Sequence, residues 1–585
     1  MSVRTAREEC DEETSLGVWG WGVELGASQP AKMEIPASVN FLRRMGRGKM
    51  TRNFRFPAIL FVALFTLSAR TASAQAVDAR KAIEAAAKAM GTTNLKSIQF
   101  TGDGFVANVG EQYNLTDGWP QVQVADYTRT IDYDAKYMRV DYDEKQGGNH
   151  VTNILSGNVA WDVKGDKPVP LTRMYLDGIP YAELRQLEMV LSPHGFIKAA
   201  LAATDAKAIT QPIVGPSDFG LSDFGQWVTI VSFSYGKYRV NGTINDKNLI
   251  ELTGSWIANP VYGDMTYEMR YTQYKDYNGV MFPGLIHVHQ GDPRINPGEN
   301  YFQVYTKDVQ PNLVVNKTPV PEAVRTAKLD PVKVETQKLA NHVWLLGGGP
   351  MNSVLVEFKD FVAVVDAPQN EARSLAVIDE IHKLVPGKMI RYVVNTNHHM
   401  AYAGGLRTYF SQGTTVVTHE LNKEYYVGIL FSPFPRTLDP DRMTIYNPMY
   451  MISRRPPPIQ TVGGTTMMGG TVVSDDERQM QIWHVQDMAY EVGESYLKIP
   501  GPSLARGNHS ADMLMVYLPT EKILINADLY VPPEPGAKPS APTAGMRTLY
   551  LNMKKLKFDV AQHVSIVGQR VGSNDEFVKI VGNAQ

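Results

Sequence analysis

The stretch from Phe361 to Leu406 constrains the fold more than any other part of this 585-residue chain. Phe361 to Val365 is an unbroken apolar run that closes on Asp366. Glu371 to Leu384 follows, with Leu375, Ile378, Ile381 and Leu384 on one helical face. Ile390 to Val394 is a second apolar run. It opens into Asn395-Thr396-Asn397-His398-His399-Met400-Ala401-Tyr402-Ala403-Gly404-Gly405-Leu406. Short apolar strands alternating with helical segments predict an α/β layer from about residue 336. The Gly347-Gly348-Gly349 run between the expected strands Val343–Leu346 and Ser353–Phe358 predicts a hairpin turn. No Lys-Ser/Thr and no helix follow it, so it is not a phosphate loop.

The order of strand, helix, strand, His-bearing loop and Gly-Gly helix start resembles the metallo-β-lactamase superfamily, whose loop reads Thr-His-x-His-x-Asp-His-x-Gly-Gly. Thr396, His399, Gly404 and Gly405 agree with it. Asn397 stands at the first His, Ala401 at the Asp and Tyr402 at the last His. His398 falls on the variable position between ligands. Downstream, Asn508-His509-Ser510-Ala511-Asp512-Met513 precedes an apolar run, a Pro519–Lys522 turn, Ile523 to Ala527, and Asp528. The resemblance implies His509 as a ligand and Asp528 as the carboxylate that bridges two metals. The family's last His falls at Val567, ahead of Gly568. His563 lies upstream and is not counted as its replacement. The resemblance spans 336–585 and implies an αβ/βα four-layer sandwich. His399, His509 and Asp528 would remain of the ligand set, with Asn397 a weak contributor at best. Three protein ligands and a water suffice for one zinc. A hydroxide on that zinc would attack an ester- or amide-type bond. Tyr402 would donate a hydrogen bond to the developing oxyanion.

Residues 75–310 read differently. Val77–Met90 is expected as a helix stopped by Gly91, and Leu187–Ala203 as another. Ser97–Phe105, Tyr127–Tyr133, Tyr137–Tyr142, Trp227–Val240, Thr243–Trp256, Met265–Tyr274 and Gly284–His289 read as antiparallel strands. The pattern suggests a curved β-rich half-barrel, similar in outline to periplasmic lipoprotein-carrier domains. The fold class expected is therefore α+β in two domains, joined by a Pro-broken linker over 311–335.

Arg52 and Arg55, the apolar run Phe56–Leu67 and Ala72-Ser73-Ala74 have the plan of a signal peptide over 50–74. Residues 1–49 read as an extension from a start codon set too early. The protein is expected in the periplasm or secreted, with no stable membrane span after cleavage. The one cysteine, Cys10, excludes disulfides and thiolate metal sites. A formal net charge of −2 offers nothing to nucleic acid.

Other histidines carry plainer readings. His419 ends a strand as a packed or loop residue. His287 and His289 share a strand face without a third ligand nearby in sequence. Asp366 is expected to brace the His loop, and Asp512 to support a ligand. The Pro- and Met-rich 431–470 and the segment 486–507 read as candidate lids or as surface decoration. Three functions stay open: a mono-metal hydrolase, a pseudoenzyme binding a ligand or partner, and a carrier of an apolar or lipid-like molecule in the β-rich half.

Overall fold

The computed structural model describes residues 74–213, 221–222, 225–291, 299–430, 436–446, 458–463, 469–487, 508–537 and 541–582. The extension, all of the signal segment except Ala74, Cys10, the Arg454–Pro457 run and nearly all of 486–507 lie outside those residues. The chain is a strand-rich α+β protein.

The first half is one antiparallel sheet of fourteen strands. It begins at Gln75–Val77 and passes through Lys207–Pro212, Trp227–Tyr235, Tyr238–Ile244, Ile250–Asn259, Gly263–Thr272, Leu285–Gly291 and Glu299–Pro311. It continues through Ser97–Ala107, Gln121–Asp132, Tyr137–Glu144, His150–Ser156 and Val159–Lys164 to Lys167–Pro170. Alternation explains the sheet: along Tyr238–Ile244 every second residue is buried.

The strand expected over Trp227–Val240 is in fact a hairpin, with Tyr235 opposite Tyr238. Gly236 takes φ +58°, which a two-residue turn between twisted strands requires. The helix expected over Leu187–Ala203 is likewise two helices, Tyr181–Leu191 and Pro193–Ala202. Pro193 cannot continue a helix, but it starts one well. Ser192 caps the new helix by accepting from the Gly195 N–H at 3.3 Å. Ala79–Ala89 is the helix read over 77–90.

The second half holds a seven-stranded and a six-stranded sheet. The first runs antiparallel through Glu335–Ala340, Val343–Gly347, Ser353–Glu357 and Phe361–Val365. It turns parallel through Met389–Val394, Thr415–His419 and Ile459–Val462. The second sheet contains Leu514–Leu518, Ile523–Asn526 and Gln562–Ser565. Strand Phe361–Val365 is buried on both faces. Ala363 and Val365 pack with Val516 and Ile525 of the other sheet. Val362 and Val364 pack with Ile378 and Ile381 of helix Glu371–Leu384. A double-sided apolar strand of this kind fixes a sheet between two packed layers.

The two halves share one interior. The apolar cluster that holds Phe100, Tyr267 and Val304 of the large sheet also holds Val364, Ile381, Met400 and Phe410. The Pro-rich segment after Pro311 lies on the first half. Val324 packs with Tyr137, Ile154 and Trp161, and Asp330 pairs with Thr172 through backbone and side chain. Among the described residues, no helix is long and apolar enough to cross a membrane.

Candidate functional site

The His loop leaves the buried strand Met389–Val394 and is held from below by Asp366. That residue takes φ +60° at the end of the neighbouring strand. Its carboxylate accepts from the Thr396 N–H at 2.8 Å and from the Thr396 hydroxyl at 2.6 Å. Burial pushes its pKa up to about 7 against these two donors. Asn395 ties the loop sideways, accepting from Tyr426 at 2.6 Å and donating to the Asn397 carbonyl at 2.7 Å.

Gly404 and Gly405 follow because the next helix starts against the Ala367–Gln369 turn. A Cβ on Gly404 would stand 1.7 Å from the Gln369 carbonyl oxygen, and one on Gly405 2.0 Å from the Ser374 hydroxyl. The neighbour at Gly404 is backbone and cannot swing away. Gly404→Ala is therefore expected to destabilise the protein by about 3 kcal/mol, at the upper end for an overpacked interior. Chemical denaturation read by Trp fluorescence measures this.

The side chains at the ligand positions do come together. His509 Nε2 lies 2.6 Å from Asp528 Oδ1, and the rings of His399 and His509 are 4.9 Å apart. The atoms of His399 and the second oxygen of Asp528, however, are engaged by protein. Tyr402 donates its hydroxyl hydrogen to Asp528 Oδ2 at 2.8 Å, so the hydrogen expected at an oxyanion is committed to Asp528. Asn397 accepts the His399 N–H through Oδ1 at 3.0 Å. That fixes its amide orientation and leaves Nδ2, a donor, buried without a partner. His399 has an acceptor at each ring nitrogen. Glu111 Oε2 stands 3.1 Å from Nδ1, and the Gln112 carbonyl 3.0 Å from Nε2. Acceptors at both positions favour the imidazolium, which carries two ring N–H groups. Burial opposes that charge, but the Glu111 carboxylate outweighs it and raises the His399 pKa. Asp528 is lowered: burial raises it, and the His509 contact lowers it further.

Glu111 and Gln112 are the residues that sequence reasoning missed. They sit on a loop between strands Ser97–Ala107 and Gln121–Asp132 of the first half. Gly110 enters it at φ +79° against Met400, and Ala511 donates to the Tyr113 carbonyl at 2.7 Å. The loop thus lies between the two arms of the candidate centre. Nothing local in the sequence marks it, because Gln112 is 287 residues from His399.

The other candidates stand apart from the centre. His398 turns away from His399 and pairs with the buried Asp512 at 2.8 Å. Asp512 also accepts from Asn422 at 2.5 Å and from Ser510. Ala401 lies in the short helix Met400–Ala403. Val567 forms an isolated bridge with Met351. His563 is buried at 3.1 Å from Asn574, and its ring packs on Tyr530 and Phe577. His419 is packed on His484, its Nδ1 accepting from the Leu421 N–H at 3.2 Å. His287 and His289 are buried and face each other, Nε2 to Nε2, at 2.6 Å.

A metal ion does not fit this arrangement. It needs lone pairs aimed at one point. Here Asn397 presents N–H hydrogens, both His399 nitrogens face protein acceptors, and one Asp528 oxygen is covered by Tyr402. Among the described residues, no group of three or more His, Cys, Asp or Glu side chains is arranged to hold a metal ion.

No protein-family model and no curated protein matches the chain. Solved structures similar to part of it are metallo-β-lactamases. One is the metallo-β-lactamase from Pontibacter korlensis, 16% identical, at a TM-score of 0.29 over 43% of this chain and 100% of that one. TMB-1 is 13% identical at 0.28, over 43% and 98%. The DIM-1 metallo-β-lactamase exposed to ceftazidime is 13% identical at 0.28, over 44% and 100%. The likeness is one of fold.

Proposed function

We propose that this is an exported ligand-binding protein whose hydrolase-like half no longer works as a metal hydrolase. We read its two sheets and their helices as the αβ/βα sandwich of the metallo-β-lactamase type, here serving as a scaffold against which the β-rich half is fixed. The observation that carries this reading is His399, held at both ring nitrogens by Glu111 and the Gln112 carbonyl. A zinc-dependent reaction at His399, His509 and Asp528 would need this loop to leave and Asn397 to offer something other than N–H. The 50–74 segment supports export to the periplasm or beyond, and a small apolar molecule is the partner this reading calls for.

Elemental analysis of the chain from Gln75 onward tests the reading, beside a His399→Ala/His509→Ala double variant. The expected result is no zinc or iron in either protein, even after incubation with zinc. Close to one ion per chain in the wild type, lost in the double variant, would overturn it and restore the mono-metal hydrolase.

A further inference from the structure

The first half contains a cavity of about 320 Å³ between the curved sheet and helix Tyr181–Leu191. That volume is at the lower end of the range usual for small-molecule sites, roughly 300–1,000 Å³. One wall is apolar, formed by Val106, Met138, Val140, Ile286, Val288 and Phe302. The other wall is polar and centres on Arg129.

Arg129 reaches Glu188 through a single long contact, Nη2 to Oε2, at 3.5 Å. The same carboxylate accepts from Tyr267 at 2.8 Å. The Arg129 Nε–H is buried with no hydrogen-bond partner. Beside it stands the Tyr127 hydroxyl, also without a partner in hydrogen-bond geometry. Burial pushes that hydroxyl up to about 12, so it keeps its hydrogen. Two donors therefore meet on the polar wall, across from the apolar one. Leaving such groups unpaired is unfavourable, and an oxygen acceptor would satisfy both.

The charges around the cavity say what kind of acceptor. The second arginine, Arg185, is already matched. It donates to Asp162 at 2.5 Å and to the carbonyls of Ile154 and Trp161 at 2.9 Å. Arg129 and Arg185 thus stand against Glu188 and Asp162, and the lining is neutral before anything enters. A carboxylate or phosphate would add an unmatched negative charge beside Glu188, in a site withdrawn from water. An uncharged carbonyl oxygen would not.

We infer that this cavity binds an apolar molecule carrying an uncharged carbonyl oxygen, an acyl ester or similar group, with that oxygen on Arg129 Nε and Tyr127 and its hydrocarbon against Val140, Val288 and Phe302. This rests on the binding reading above and adds the chemistry of the ligand.

The test is displacement of the neutral fluorophore N-phenylnaphthylamine from the purified protein by methyl decanoate, sodium decanoate and decane. The ester is expected to compete at about 10-fold lower concentration than decane, the size of one hydrogen bond to a charged donor. Decanoate is expected to bind no more tightly than the ester. Arg129→Met brings the ester down to the level of decane. Tyr127→Phe, a milder change, lowers ester affinity several-fold and leaves decane unchanged. Equal competition by decane and ester would overturn the inference. So would tighter binding of decanoate, or an ester preference that survives both substitutions. No fluorophore uptake and no binding of any of the three compounds would sink the binding reading itself, and this inference with it.

Discussion

Asp512→Ala is expected to destabilise the protein by about 3–5 kcal/mol, because one buried carboxylate serves three side-chain partners and hydrogen bonds to a charged group are worth about 1.5–3 kcal/mol each. Asp512 is almost wholly inaccessible and joins three segments that are distant in sequence. His398 belongs to the loop after strand Met389–Val394, Asn422 to the turn after Thr415–His419, and Ser510 to its own loop. Truncation leaves His398 Nδ1 with only the longer Ser510 contact at 3.3 Å and the Asn422 amide with only Thr418. The same contacts set a pH dependence. Burial raises the Asp512 pKa, but His398, Ser510 and Asn422 lower it further, and the net displacement is downward. A carboxylate lowered on folding adds stability above its unfolded value of 3.8, and that stability is lost as pH falls through the folded value. Urea titrations from pH 7 down to pH 2 should show the wild type beginning to lose this contribution near 3.8 and still losing it at the acid end, and the variant lacking it throughout. An Asp512→Ala protein as stable as wild type at pH 7 would mean that the pair does not organise the loop.

Gly110→Val is expected to separate the two halves. The φ of +79° is in the left-handed region, where a β-branched residue is a true outlier. The added Cβ would also stand 2.5 Å from Met400 Cγ. Left-handed strain of about 1–2 kcal/mol and overpacking of about 1–3 kcal/mol together suggest a loss of about 2–5 kcal/mol at the contact between halves. Calorimetry should give one cooperative transition for the wild type, because the halves share an apolar cluster. The variant should give two. Glu111→Ala probes the same loop more gently. With the carboxylate gone, only the Asp512 charge and the Gln112 carbonyl still oppose burial, and the His399 imidazole should titrate at lower pH than in the wild type by NMR. An unchanged His399 titration would show that Glu111 does not hold the charge.

The layered second half was legible because its strands are short, apolar and regularly interrupted. Phe361–Val365 and Met389–Val394 stand where the hydrophobic runs put them, within a residue. The support of the His loop by Asp366 was legible only through the family resemblance, since the residues alone left a role in the strand-to-loop turn equally open. Periodicity failed where it cannot see a turn: Gly236-Lys237 and Ser192-Pro193 each divide an element that reads as continuous. Nor could it see how the ligand positions are used. That Asn397 points its amide hydrogens inward, or that Tyr402 serves Asp528, depends on which atom faces which neighbour. The role of Glu111 depends on two halves meeting.

The loop that carries Glu111 also ties the chemistry of one half to the packing of the other. Substituting His at 397, Asp at 401 and His at 402 would rebuild the family's motif on paper. The ring nitrogens of His399 would still face Glu111 and the Gln112 carbonyl, and none of the three substitutions alone would favour the loop's departure. Whatever binds at His399 must therefore also displace a segment of the β-rich half, so ligand chemistry at this loop and the packing of the two halves cannot change independently.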